Sequence, residues 1–95
     1  MPVVLTPEDE QAALKKADSS LRFIMDKNDV PVSLQAKFYH IGVDTVAKFA
    51  TFATSADDMK DVVRREFGLD PSTSLTERVA VTNLLVGYET ARNRT

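Results

Sequence analysis

Apolar residues recur along the chain at spacings of three and four, the period of an amphipathic helix, and no stretch alternates in the manner of a β-strand. Clusters of Ser, Thr, Asp, Pro and Gly separate the periodic segments and mark helix ends. The pattern predicts an all-α fold, a compact bundle of about five helices in which four short helices precede a long C-terminal one. It also predicts one helical domain over residues 1–95, with a flexible segment at 1–5 and a frayed tail at 92–95.

The first predicted helix begins at Pro7 with Thr6 as its N-cap and ends in "DKNDVP", where Pro31 disfavours a helical residue before it. Phe23 lies about half a turn from the apolar face of this helix, among polar residues. We expect a neighbouring element to cover Phe23; the alternative is an exposed anchor. The apolar face itself comprises Leu14, Ala17, Leu21, Ile24 and Met25.

A short second helix is predicted over "SLQAKFYHIG", with Ser33 as its cap. Gly42 is placed to end this helix in a left-handed conformation, and Val43 is the apolar residue that often follows such a stop. The expected inward row consists of Leu34, Phe38 and Ile41.

Two further short helices are predicted over "TVAKFATFA", capped by Asp44, and over the segment that "SADD" opens as a capping box. Gly68 is predicted to end the helix opened by "SADD", and Leu69 is the apolar residue that follows this stop. The expected inward residues are Val46, Phe49, Ala50 and Ala53 in one helix and Met59, Val62, Val63 and Phe67 in the other.

The last helix is predicted to be the longest and to begin after Ser74, which forms a second capping box with Glu77. It is apolar on two sides, as in a helix that lies between core layers or continues into a partner. Gly87 within it predicts close approach of another helix. One apolar side holds Val81, Leu84, Leu85, Tyr88 and Ala91, and the other holds Leu75, Val79 and Val86.

Composition narrows the function classes. The net charge is −2, with acidic and basic residues interleaved, which argues against a strongly basic nucleic-acid binder. There is no cysteine, so disulfides and thiolate metal sites are excluded. No apolar run reaches the length of a membrane span, and the N-terminus lacks the features of a signal peptide. These observations predict a soluble, intracellular protein with no membrane partner.

Candidate chemistry is sparse. His40 is the only histidine and has no second ligand for a metal. The segment "DKNDVPVSLQAK" begins like a calcium loop at Asp26 and Asn28, but has Pro31 in place of the glycine and Lys37 in place of the final glutamate. No nucleotide-binding loop or nucleophile motif is present. We therefore predict no catalytic, cofactor-binding or metal-binding residues, and a protein that is not an enzyme.

Four short capped helices followed by a long one resemble the plan of sterile-alpha-motif-like modules. The segments "FATSADDMKDVVRREFGLD" and "SLTERVAVTNLLVGYE" are similar to the family's capped acidic turn and to its long last helix, and the resemblance spans about sixty residues. The early tryptophan that is common in the family is absent, and "LTER" replaces its Gly-x-Arg. The resemblance implies a helical bundle used for protein association or, in some members, for nucleic-acid binding.

The turn "HIGVDTVAKFA" is also similar to a helix-hairpin-helix element, in which backbone N–H groups of a glycine-bearing turn bind a phosphate. This turn has one glycine, and Asp44 stands where the phosphate would approach. We therefore expect a tight turn, and keep a small nucleic-acid-binding domain as the alternative function. The candidate contacts for that alternative are Gly42, Lys48, Arg64 and Arg65.

The main expectation is a protein-protein interaction or assembly module that self-associates or binds a protein partner. Its candidate surfaces are the acidic turn at Asp57, Asp58 and Asp61 and the start of the last helix at Arg78. Pairing two different surfaces head to tail would build open chains. The competing interpretation is that these aspartates only complement a helix N-terminus and that Arg78 is solvated. If the charges are not involved, Phe23, Val79 and Val86 become the candidate interface.

Overall fold

The computed structural model describes residues 5–94, and every regular element in that range is an α-helix. The all-α prediction is confirmed, with six helices in the described range where about five were expected. The last helix is the longest, as predicted. In chain order they are α1 (Pro7–Lys16), α2 (Ser19–Lys27), α3 (Val32–His40), α4 (Val46–Phe52), α5 (Ala56–Phe67) and α6 (Leu75–Arg94).

The sixth helix arises from a break in the predicted first helix. Ala17 is extended, with ψ 133°, and Asp18 caps α2 by accepting a hydrogen bond from the Ser20 N–H at 3.1 Å. The Asp18 N–H donates to the Asp44 carbonyl at 2.8 Å. The prediction of one helix was wrong because this local cap, tied to the chain before α4, outweighs an apolar spacing that continues across it.

Three predicted N-caps are confirmed: Thr6, Ser55 and Ser74 each accept a hydrogen bond from the backbone N–H three residues later. In the capping box opened by Ser55 the Asp58 carboxylate accepts from the Thr54 N–H at 2.9 Å, one residue before the expected donor. Gly68 ends α5 with φ +71°, also as predicted.

Two other caps differ from the prediction. The helix α3 begins at Val32 after Pro31, so Ser33 lies inside its first turn and does not cap it. The helix α4 is capped by Thr45, whose hydroxyl accepts from the Lys48 N–H at 3.2 Å. Thr45 is the residue directly before α4, so its side chain is the one placed to reach that N–H.

The core is centred on Phe38, which meets three other rings edge to face. Its ring centroid lies 5.6 Å from Phe49, 5.7 Å from Phe52 and 4.9 Å from Phe67. Tyr88 of α6 packs against Phe49, and its hydroxyl donates to the Ala53 carbonyl at 2.7 Å. These contacts join α3, α4, α5 and α6 around one aromatic cluster. The predicted α6 row is buried at Val81, Leu84, Tyr88 and Ala91, with Leu85 half-buried.

Two apolar residues expected inside are exposed. Ile41 is 44% exposed because it follows the last helical residue of α3, where the helical period that placed it inward no longer applies. Phe23 is 56% exposed, so the expected cover is absent in the described range. The Lys27 Nζ lies 5.9 Å from the Phe23 ring centroid.

The described residues nearest the two chain ends are Leu5 and Arg94. Leu5 packs against the core, although it was assigned to the flexible segment 1–5, whose other residues lie outside the described range. The helix α6 continues to Arg94, so residues 92–94 of the predicted tail are helical. Position 95 lies outside the described range.

Gly42 ends α3 as predicted. Its φ is +102°, its N–H donates to the Tyr39 carbonyl, and the Val43 N–H donates to the Phe38 carbonyl at 3.0 Å. This is the hydrogen-bond pattern of a Schellman motif, and Val43 is buried beside it. Gly87 is buried where α6 meets α2, and a Cβ built there would lie 3.7 Å from Ile24 Cγ2, an ordinary contact distance.

The two glycines should respond in opposite directions to alanine. Gly42→Ala should lower the free energy of unfolding by about 1–2 kcal/mol, because a side chain is strained at positive φ. Gly87→Ala should be neutral or stabilising by up to about 1 kcal/mol, because the site has room and alanine favours a helix. Urea unfolding of both variants measures this contrast. Equal effects would contradict the assigned turn.

Candidate association surface

The long helix α6 exposes a row of large apolar side chains on the side opposite its buried face. Leu75 is 78% exposed, Val79 56% and Val86 49%. We call these three residues the outer row of α6. These residues form the second apolar side predicted for the last helix, and an exposed row of this kind on a well-packed helix is a candidate contact surface.

A groove of about 440 Å³ runs between α5 and α6 on one side of the outer row. Val81, Leu85 and Val86 supply its apolar lining. Three charged residues also line it: Lys60 from α5, and Arg78 and Glu89 from α6. We call it the α5–α6 groove; it combines apolar lining with charges of both signs.

A second groove, of about 430 Å³, flanks the outer row on the side of α2 and is lined by Leu75, Val79 and Asn83 of α6. Asp29, also in its lining, adopts φ +57° at the end of α2, a conformation tolerated by aspartate better than by most residues. The Asn83 amide donates to the Asp29 carbonyl at 3.3 Å, which ties α6 to this turn. The outer row therefore stands between two grooves.

The predicted acidic surface is largely occupied by contacts within the chain. Asp58 caps the start of α5, and Asp61 is paired with Arg64 at 2.7 Å and Arg65 at 2.8 Å. The hydrogen bond from Arg64, with the charge of Arg65, lowers the pKa of the Asp61 carboxyl below its usual value. Of the three aspartates, Asp57 is the most accessible, with its side chain 96% exposed and 4.0 Å from Lys60 Nζ.

Two of the three charged residues that line the α5–α6 groove, Arg78 and Glu89, form fewer contacts with other charged side chains than Asp61 of α5 does. Among residues 5–94 no ion pair within 4.0 Å joins Arg78 or Glu89 to another side chain. Arg78 was the predicted basic partner of the acidic turn, and the structure places it on the same groove as Lys60. Phe23 of α2, the remaining candidate, lines neither groove.

The candidate nucleic-acid contacts are not assembled into a cationic patch. Lys48 Nζ is bonded to the Asp44 carboxylate at 3.1 Å. Arg64 and Arg65 share the Asp61 carboxylate, so each candidate cation already has an anionic partner. Gly42 serves as the end of α3, and His40 beside it is exposed. Nothing in this geometry favours phosphate binding at the turn.

A buried polar network that joins α2 to α3 was not predicted from the sequence. Gln35 is fully buried; its amide N–H groups donate to Asp26 and to the Val30 carbonyl, and its carbonyl oxygen accepts from the Tyr39 hydroxyl at 2.9 Å. Burial raises the pKa of the Tyr39 phenol, which keeps it protonated as a donor. Gln35 and Tyr39 are four residues apart, so they share a helix face, and this spacing is the sequence feature that could have indicated their hydrogen bond.

Comparisons of the chain with protein-family models, with curated proteins and with solved structures find no match. Among residues 5–94, no helix combines the length and the apolar character needed to cross a membrane. In the same range, no three His, Cys, Asp or Glu side chains are grouped so that they would hold a metal ion.

Proposed function

We propose that this chain is a non-enzymatic assembly module that self-associates through the outer row of α6. The observation that carries the proposal is the exposure of Leu75, Val79 and Val86 on a 20-residue helix whose opposite face is buried in the core. Exposed apolar side chains clustered on one rigid element lower their free energy when a partner surface covers them.

A second copy is the occupant that the charges favour. Arg78 and Glu89, both without an ion-pair partner in the described range, flank the apolar lining of the α5–α6 groove. A surface with unlike charges on either side of apolar residues can match its own charge pattern in another copy. The resemblance to sterile-alpha-motif-like modules supports the same class of function.

The proposal predicts that polar substitution of the outer row weakens association. In the double variant Val79→Gln/Val86→Gln, the dissociation constant should rise at least about tenfold, because burying one valine is worth about 1.5–3 kcal/mol. Glutamine keeps the net charge and favours a helix, so the fold should be retained. Sedimentation velocity over a micromolar to millimolar concentration series measures the change.

Ile41→Gln is the matched control, because Ile41 is also an exposed branched apolar residue but lies at the end of α3. Its association should equal that of the wild type. A wild-type chain that remains monomeric at millimolar concentration would refute the proposal. Binding of duplex DNA or RNA that weakens steeply with added salt would instead support the nucleic-acid alternative.

A further inference from the structure

The charges on α6 have a spacing that suits pairing with a copy of itself. Arg78 and Glu89 are eleven residues apart, which is about three turns, so they lie within about 20° of the same line along the helix and about 16 Å apart. Leu85 lies between them on the groove they share. The midpoint of this pair is between Asn83 and Leu84.

Two members of the outer row, Val79 and Val86, have nearly the same midpoint as this pair. Val79 and Val86 are centred between Thr82 and Asn83, one residue from the midpoint of Arg78 and Glu89 and thus about 1.5 Å away along the helix. A two-fold axis that runs between two α6 helices, perpendicular to them and level with this point, therefore relates both pairs of residues. It would place Val79 of one copy near Val86 of the other and Arg78 near Glu89, each contact occurring twice.

We propose that two copies form a closed, isologous dimer in which their α6 helices pack antiparallel, with Val79 and Val86 of the two outer rows in contact and two crossed Arg78–Glu89 ion pairs along one edge. This inference rests on the proposed function and specifies its geometry. It replaces the head-to-tail chain expected from the acidic turn, since Asp58 and Asp61 are engaged within α5. An isologous contact closes on itself and limits assembly to two copies.

Lys60 is the remaining charged group on the groove. The helices α5 and α6 run antiparallel, because Ala53 before α5 bonds to Tyr88 late in α6 while Phe67 at the end of α5 shares a pocket with Thr76 near the start of α6. Lys60, in the first half of α5, is therefore nearer the Glu89 end. In the dimer Glu89 would lie between its own Lys60 and Arg78 of the second copy.

The size of the contact sets its strength. A 20-residue helix is about 30 Å long, and one helix face with its two rims is smaller than the roughly 800 Å² per partner of a standard stable interface. The dimer should therefore be reversible, with a dissociation constant in the micromolar range or weaker. Small contacts of this kind are sensitive to the edge charges that fix their register.

Charge reversal tests the geometry. Arg78→Glu alone, or Glu89→Arg alone, converts both crossed pairs into like-charge pairs, and each should raise the dissociation constant about tenfold, because two edge contacts change sign. An equimolar mixture of the two variants restores both Arg–Glu pairs in a mixed dimer. We expect the mixture to associate as strongly as the wild type, whereas each variant alone remains mainly monomeric.

Sedimentation equilibrium of wild type, both single variants and their mixture measures these four states. Lys15→Glu, an exposed reversal on α1, is the control and should leave association unchanged. Species larger than dimers, or a wild-type oligomer that ignores both reversals, would overturn this geometry while leaving the proposed function intact. A monomeric wild type would remove both. Circular dichroism confirms that each variant retains its helices.

Discussion

Phe38→Ala is expected to lower the free energy of unfolding by about 3–5 kcal/mol, the largest loss among single substitutions proposed for this chain. Phe38 is fully buried and meets the rings of Phe49, Phe52 and Phe67 edge to face. Truncation removes those contacts and leaves a cavity at the point where α3, α4 and α5 converge. Urea unfolding followed by far-UV circular dichroism measures the loss.

Phe23→Ala is the matched control, because the same truncation at a site 56% exposed should cost less than about 0.5 kcal/mol. Phe38→Leu keeps most of the volume and should cost less than about 1.5 kcal/mol, which preserves a readout if the alanine variant does not fold. Similar losses at Phe23 and Phe38 would show that the aromatic cluster is placed wrongly.

Gln35→Leu is expected to have the second-largest effect on stability. It leaves the Tyr39 hydroxyl and the Val30 carbonyl without the partners that Gln35 supplies, and each unsatisfied buried group costs about 1–3 kcal/mol. The leucine recovers part of this through its apolar side chain. The net loss should remain larger than that of a surface substitution, which is usually below about 0.5 kcal/mol.

A double variant separates the hydrogen bond from the volume. Adding Tyr39→Phe to Gln35→Leu removes both polar ends of the 2.9 Å hydrogen bond, so the double variant should be more stable than Gln35→Leu alone. Thermal or urea unfolding of the two singles and the double gives the coupling. Strictly additive losses would contradict a direct hydrogen bond between these side chains.

The fold class and most helix ends followed from local signals in the sequence. Ser55, Gly42 and Gly68 act at short range, and the structure uses each of them as predicted. The break at Asp18 was missed because the apolar spacing continues through it, and the cap is reinforced by a hydrogen bond to Asp44, which is distant in sequence. The spacing of apolar residues gives no information about a hydrogen bond between residues so far apart in sequence.

The candidate surface was predictable in part. The exposed second side of α6 followed from the positions of Leu75, Val79 and Val86, because a single core covers only one side of such a helix. The roles of the charged residues did not follow. Whether Asp58 caps a helix, or whether Arg78 has an ion-pair partner among residues 5–94, depends on how side chains meet after folding. The burial of Gln35 could not be predicted either, because a polar residue is expected at the surface unless its buried hydrogen-bond partners are known.

A concentration series of two-dimensional ¹H–¹⁵N NMR spectra tests self-association through α6 most directly, because each amide reports its own surroundings. Self-association through α6 predicts that chemical shifts change progressively with concentration at Val79, Asn83, Val86 and their neighbours on α6, while those of α1 amides stay constant. Spectra that are identical from micromolar to millimolar concentration, or changes confined to α1 and α3, would contradict it.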